Sequence, residues 1–279
     1  MRNCDDGSHG NRVAAATAAS VTHKPRAVTR LAVFDYYFGI YHARRRGRRI
    51  AVGLVVAALG AVGGALFATD TAYVVGLGAV VLGTWYAQPA AKRLLVPAPW
   101  SPQRWNYAPL AKGIDWEAVD DWLDLGSGTG RSLVGPAPAV DDARVTALDP
   151  FDGRVIAGND PERARHNAAT AGLDATPVRG DAARLPVATG SQDAVTACRL
   201  LHDLSRGDAE ATLSEARRVL RSDGTLGVLE LAATHEETDD PLGYWSELVT
   251  AAGFTIVASG SVERRDERYF YLIGEIHGG

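Results

Sequence analysis

Two long apolar stretches dominate the first hundred residues, and short apolar runs alternating with amphipathic segments fill the rest of the chain. Ile50 to Thr69 holds twenty residues without a charge, Thr71 to Ala91 holds none either, and only Asp70 separates them. At about 1.5 Å of rise per residue, each stretch crosses a hydrocarbon core of about 30 Å as a helix. The first has nine strongly apolar residues, worth roughly −3 to −5 kcal/mol of insertion free energy before its glycines are counted, so the pair inserts more readily than one span alone. Gly60 and Gly64, and Ala79 and Gly83, are small residues four apart, which let two antiparallel helices approach backbone to backbone. The pattern predicts a tight transmembrane hairpin over 50–91. A cleavable signal peptide would have a short basic start and a single apolar stretch, whereas this chain has a start of 49 residues and two stretches, and buried helices of a soluble protein would normally show more polar positions over some forty residues; both stand as the weaker alternatives.

Beyond the hairpin, Pro97, Pro99 and Pro102 in "LLVPAPWSPQRW" disfavour regular helix and predict a semi-rigid linker over 92–104. From residue 105 the apolar runs predict seven strands: 122–125, 145–148, 175–178, 194–198, 225–230, 255–259 and 269–276. Helices between them are marked by Asp160 and Pro161 with Gly172 beyond, and by Ser205 with Gly224 beyond, the expected cap and stop residues. Strands alternating with helices predict a mainly parallel sheet covered on both faces. Residues 1–28 show no sustained period and read as a mobile tail.

Charge divides the chain in two. Residues 1–112 carry a net +10 and residues 113–279 a net −14 within the overall −4. The positive part is concentrated at 29–49, where Phe34, Tyr36, Tyr37, Phe38 and Tyr41 run into Arg44, Arg45, Arg46, Arg48 and Arg49. Rings beside arginines suit a membrane surface with anionic lipids, with nucleic acid as the weaker alternative. Arginines before the first span, and Lys92 with Arg93 after the second, predict that both termini and the second domain face the cytoplasm. Cys4 and Cys198 are the two cysteines of the chain, so neither a disulfide framework nor a metal-ligand spacing is expected.

The candidate chemistry centres on "WLDLGSGTG", Trp122 to Gly130. A dinucleotide fingerprint has G-x-G-x-x-G and a later acidic residue for the ribose. Here Gly126, Gly128 and Gly130 are closer by one, and Asp124 precedes them. A carboxylate at that place can accept hydrogen bonds from the ammonium of an amino acid moiety, which S-adenosylmethionine has and NAD lacks. Amides at the start of the next helix can receive its carboxylate. Asp149 ends the second strand, where it can take both ribose hydroxyls, with Phe151 against the adenine, and Asp181 follows the third. Three carboxylates at the carboxyl ends of successive strands mark the edge at which open α/β sheets bind ligands.

These residues, with "LDLGSGTGR", "VTALDP", "GDAARLPVATGSQDAVTACRLLHDL", "EARRVLRSDGTLGVLEL" and "LVTAAGFTIV" in that order, resemble the class I S-adenosylmethionine-dependent methyltransferases. Within them they are most similar to the branch of quinone and other small-molecule enzymes. The resemblance implies an α/β fold with a seven-stranded Rossmann-like sheet whose last strand is antiparallel. It implies S-adenosylmethionine as cofactor, with Asp124, Gly126, Ser127, Gly128 and Gly130 at the methionine end, Asp149 and Phe151 at the ribose and adenine, Asp181 and Ala182 at the adenine, and Cys198 lining the site. Pro136 and Pro138 are expected to shorten the first helix to about two turns, and "PFDGRVIAGN" lengthens the connection after Asp149. "TACRLLHDL" lacks the Asn/Asp-Pro-Pro-aromatic motif of amine methyltransferases, which disfavours nucleic acid bases as acceptors.

His202 is the candidate general base, and Arg199 either holds an anionic substrate group or pairs with Asp203. Glu230, Tyr244 and Trp245, with His235, are expected on the acceptor side as part of a lid, and Tyr107 either closes over the cofactor or packs. The expectation is a membrane-anchored enzyme that methylates carbon or oxygen of a lipophilic small molecule of quinone or isoprenoid type, in contact with membrane lipids and without nucleic acid or metal. A membrane protein as acceptor, and a non-catalytic binding module, are the alternatives.

Overall fold

The computed structural model describes residues 35–95, 98–264 and 267–276; the expected tail, 1–28, lies outside them. A short strand β1 (Ile40–Tyr41) leads into two long helices, α1 (Ala43–Phe67) and α2 (Asp70–Leu95), and a shorter α3 (Arg104–Gly113). The alternating region then runs β2 (Asp121–Leu125), α4 (Arg131–Val134), β3 (Arg144–Asp149), β4 (Ile156–Ala157), α5 (Pro161–Thr170), β5 (Ala175–Arg179) and β6 (Gln192–Cys198). It ends with α6 (Arg206–Val219), β7 (Leu220–Leu231), α7 (Pro241–Ala251), β8 (Thr255–Arg264) and β9 (Glu267–Glu275).

The seven long strands form one sheet in the order β5-β3-β2-β6-β7-β9-β8. Its first five strands are parallel, and β9 lies antiparallel between β7 and β8. The apolar strands have no polar face because both sides are covered. On one side α6 and α7 bring Leu213, Val219, Trp245 and Val249 onto Leu226 and Val228; on the other, α3 brings Tyr107 and Leu110 toward Trp122 and Val145. Capping follows the expected chemistry: the Asp160 side chain accepts from Glu162 N with Pro161 at the first position, and the Ser205 side chain accepts from Asp208 N. The helix after the glycine loop is shorter than expected, four residues followed by a 3-10 turn at Ala137–Ala139, since prolines at 136 and 138 remove successive amide donors.

Helices α1 and α2 are both long and apolar enough to cross a membrane. Both start earlier than the uncharged stretches, and the second also ends later: Arg44 to Arg49 form the first turns of α1, which stops at Phe67, and α2 continues through Pro89 to Leu95. Between Ala43 and Ile50 Gly47 alone disfavours a helix, by about 1 kcal/mol, and the five arginines around it are good helix formers. The basic turns are tied across the hairpin, Arg49 Nε donating to Tyr86 O at 2.9 Å with its guanidinium 4.7 Å from the Tyr86 ring.

The glycines set the separation of the pair. A Cβ at Gly60 would lie 2.5 Å from Ala79 Cβ and 2.6 Å from Gly76 O, and one at Gly53 would overlap Gly83 O. Gly63, one turn position away, has nothing within 4 Å. Gly60→Leu is therefore expected to lower the thermal stability of the full chain in detergent by an amount typical of overpacking, about 1–3 kcal/mol, whereas Gly63→Leu is expected to leave it unchanged. Equal melting temperatures for the two variants would refute this packing.

Candidate active site

The loop after β2 is shaped by three left-handed glycines, Gly126 (φ 68), Gly128 (φ 53) and Gly130 (φ 82), conformations that side-chain-bearing residues adopt at a cost. Gly126 N and Ser127 N both donate to Leu148 O, at 2.8 and 3.1 Å. Gly128 N donates to Asp149 Oδ2 at 2.9 Å. Asp149 Oδ1 accepts from Phe151 N at 2.6 Å and Asn159 Nδ2 at 2.9 Å. One carboxylate thus locks the glycine loop to the turn that follows the neighbouring strand.

Asp124 fastens the loop from below. It is wholly enclosed, with Oδ1 accepting from Thr196 Oγ1 and Oδ2 from Ser132 Oγ, both at 2.6 Å. Burial pushes its carboxyl up to about 7 against the opposing pull of these two hydroxyls. Ser127 Oγ, buried beside the loop, has no hydrogen-bond partner, as a ligand-facing hydroxyl would. Phe151 is buried with φ 48, and the Arg179 guanidinium stands 5.8 Å from its ring. Asp181 is exposed and accepts from Ala183 N at 3.0 Å, while Ala182 is buried. Cys198 closes β6, and burial raises its thiol well above the usual range. The glycine cradle, the orphan hydroxyl and the carboxylate at the end of β3 fit an amino acid moiety joined to a nucleoside.

At the end of β6 the chain turns sharply. Arg199 has φ 55, its amide donates to Leu229 O at 2.6 Å, and a 3-10 turn at Leu201–Asp203 follows. His202 Nδ1 stands 2.7 Å from Glu230 Oε2, and Glu230 Oε1 accepts from Leu200 N and Leu201 N at 2.8 and 2.6 Å. Burial pulls the His202 imidazole down, but the Glu230 hydrogen bond and charge outweigh it and leave it raised above 6.5. The expected place of Glu230 on the acceptor side is not where the structure puts it: its side chain has no exposed surface and its carboxylate is bonded to His202.

The expected lid is corrected too. Trp245 is fully buried, its indole N–H donating to Leu231 O at 2.9 Å, and Tyr244 Oη meets His235 Nδ1 at 2.7 Å. Both belong to an amphipathic helix whose apolar face completes the sheet core. Tyr107 likewise packs in the core, fully enclosed, rather than over the cofactor loop. Arg199 does not pair with Asp203; its Nη2 donates to Tyr41 Oη at 3.0 Å, and Asp203 Oδ1 lies 3.6 Å from His202 Nε2.

Part of the aromatic segment expected at the membrane surface instead covers the glycine loop. Tyr36 and Phe38 are buried and stacked at 5.6 Å, Thr129 Oγ1 donates to Phe38 O, and Asn167 bonds both Tyr37 N and Tyr37 O. β1 pairs with β4, Ile40 opposite Ala157 and Tyr41 opposite Ile156. Between this segment, the end of β6 and the base of the hairpin lies a cavity of about 210 Å³. Arg199 and His202 line it with Tyr41, Arg131, Tyr269 and, from the hairpin, Arg46 and Arg93. None of the expected cofactor residues does. Arg131 and Tyr269 were not singled out from sequence; the position of Arg131 directly after Gly130 was the available signal. Among the described residues no cluster of His, Cys, Asp and Glu is arranged to hold a metal ion.

Residues 123–224 match the family described as methyltransferase domain. No match is found among curated proteins. The structure is similar to that of the Burkholderia thailandensis 1,6-didemethyltoxoflavin-N1-methyltransferase, solved with 1,6-didemethyltoxoflavin and S-adenosylhomocysteine, with 19% identity over 63% of this chain and 80% of that one and a TM-score of 0.50. A SAM-dependent methyltransferase from Aquifex aeolicus matches at 18% identity over 61% of this chain and 89% of that one, with a TM-score of 0.48. The fold is the Rossmann-like methyltransferase fold. The chain carries a methyltransferase domain over residues 123–224 and is an enzyme of that type, and the glycine loop with Asp149 at its edge suits S-adenosylmethionine as cofactor.

Proposed function

We propose that this methyltransferase is anchored in a membrane by α1 and α2 and methylates carbon or oxygen of a lipophilic small molecule of quinone or isoprenoid type. The observation that carries the proposal is the shared wall of the cavity: His202 lines it together with residues from the base of the hairpin. An acceptor dissolved in the bilayer would reach the reacting edge of the sheet without crossing water. The outer faces of the helices support the anchoring, with Leu66 and Phe67 each 76% exposed and Trp85 73%. So continuous an apolar surface is stable against lipid and not against water. Arginines and Lys92 gather at the end that joins the methyltransferase domain, which supports a cytoplasmic position for that domain.

S-adenosylmethionine, when bound, supplies a methyl group on a positively charged sulfur. Ser127, Asp149 and the loop fastened by Asp124 would hold it and fix its direction, and such alignment can supply up to about 7–11 kcal/mol of a displacement barrier. His202 receives the proton that the acceptor loses as its oxygen or carbon takes the methyl group and the carbon–sulfur bond breaks. Glu230 keeps the imidazole oriented and stabilises the imidazolium.

The test incubates the full chain, in nanodiscs made from host lipid extract, with methyl-labelled S-adenosylmethionine. Label in the lipid fraction is expected. Label in protein would replace the proposal with a protein acceptor, and cofactor binding without transfer would replace it with a non-catalytic module.

A further inference from the structure

The cavity at the base of the hairpin carries an excess of positive charge that the fold does not neutralise. Four guanidiniums line it, those of Arg46, Arg93, Arg131 and Arg199, against one carboxylate, Asp203. Among the described residues none of the four has an ion pair. Asp203 is turned toward His202. Arg131 is only 4% exposed, donates Nη1 to the neutral Gln103 Oε1 at 2.9 Å, and stacks on Phe38 at 4.8 Å. Its Nε is buried without a partner, and so is Nε of Arg199. Gln103 in turn donates to Glu267 Oε2 at 3.4 Å, so Arg131 reaches that carboxylate only through a neutral amide.

Burying one unpaired charge is expensive, and burying two side by side adds their mutual repulsion. Burial and the neighbouring charge of Arg199 both lower the basicity of Arg131. An arrangement of this kind persists where a ligand supplies the missing anion, and planar forks with free N–H donors suit tetrahedral or planar oxyanions best. The cofactor's own determinants lie elsewhere, around Asp149 and Ser127, and do not line this cavity. Its walls continue instead onto the hairpin through Leu94 and Pro99.

We infer that this cavity binds the phosphate headgroup of the lipophilic acceptor, gripped by Arg131 and Arg199 and approached past Arg46 and Arg93, with the apolar chain lying along the hairpin. The inference rests on the function proposed above and narrows its substrate class to phosphorylated amphiphiles. The headgroup would fix the acceptor relative to His202, whose ring shares the same cavity.

The test uses the full chain in maltoside detergent with dodecyl phosphate as probe, and calorimetry and thermal unfolding as readouts. Dodecyl phosphate is expected to bind, dodecanol not to bind, and inorganic phosphate to compete only at far higher concentration. Arg131→Met and Arg199→Lys are each expected to weaken dodecyl phosphate by at least about tenfold. Arg131→Met is also expected to leave the ligand-free melting temperature unchanged or raised, because it removes an unpaired buried charge; a merely structural arginine would lower it. Arg93→Gln, at the exposed rim, serves where a core variant fails to fold, and is expected to weaken binding to a smaller extent.

Equal binding of dodecanol, or unaltered dodecyl phosphate affinity in the variants, would overturn the inference. Inorganic phosphate competing on equal terms would make this a free-anion site and overturn the headgroup assignment. Loss of S-adenosylmethionine affinity in the same variants, with mutual exclusion of cofactor and dodecyl phosphate, would show that the arginines serve the cofactor carboxylate. Arginine-dependent binding with no label in lipid would sustain this site while the proposed acceptor class fell; labelled lipid without it would do the reverse.

Discussion

Asp149→Ala is expected to reduce S-adenosylmethionine affinity at least about a hundredfold while the chain remains folded. The carboxylate accepts from Gly128 N, Phe151 N and Asn159 Nδ2, and a hydrogen bond to a charged group contributes about 1.5–3 kcal/mol. Its removal releases the middle glycine of the loop and the Phe151 turn together, so the two sides of the cofactor site lose their common fixed point. Oδ2 accepts one protein hydrogen bond and keeps a place for a ribose hydroxyl, so the direct contact is lost as well. Asp149→Asn is the sharper variant, because it preserves size and one acceptor oxygen but cannot accept at both positions; its expected loss is smaller, about tenfold. Calorimetric titration with S-adenosylmethionine, set beside unfolding curves of the ligand-free variants, checks this. Native affinity in Asp149→Ala would place the cofactor somewhere other than this strand edge.

Much of this architecture was legible in residue order. The seven strands and the caps at Asp160 and Ser205 follow from local pattern, because a strand buried on both faces writes a continuous apolar run, whereas the antiparallel last strand came from the family resemblance. The glycine spacing of the loop was also readable, since each left-handed φ at 126, 128 and 130 demands the same residue. What local pattern did not carry was partnership across long distances in sequence. Tyr37 and Phe38 read as interfacial aromatics, yet their neighbours are Asn167 and Thr129, some ninety and more positions away. Glu230 ended a strand on the reacting edge, as expected, but whether it faced a substrate or a histidine depended on the turn that Arg199 makes. Arg131 was invisible for a related reason: an arginine that opens a helix is ordinarily solvated, and its burial arises from Phe38 and Gln103, which come from two other segments.

The pairing of His202 with Glu230 makes the strongest kinetic prediction. His202→Ala is expected to lower kcat by about 100- to 10,000-fold, the range of a lost general base, without changing S-adenosylmethionine affinity. Glu230→Gln is expected to lower it nearly as far, for a reason that lies in one proton. The carboxylate can only accept, so Nδ1 carries the hydrogen and Nε2 is left bare to take the acceptor's proton. In Glu230→Gln the amide oxygen can still accept from Leu200 N and Leu201 N, which leaves its NH2 to donate to Nδ1. The imidazole hydrogen then moves to Nε2, and the base is blocked. The pH profile separates this from a packing defect. In the native enzyme activity requires the neutral ring, and Glu230 raises its titration above 6.5, so activity rises with pH along a limb centred above that value. Removing the carboxylate lowers the folded-state value, so the limb moves to lower pH or disappears in Glu230→Gln. A variant that retained native kcat and an unmoved limb would leave His202 a structural residue and return the search for a base to the other groups around the cavity.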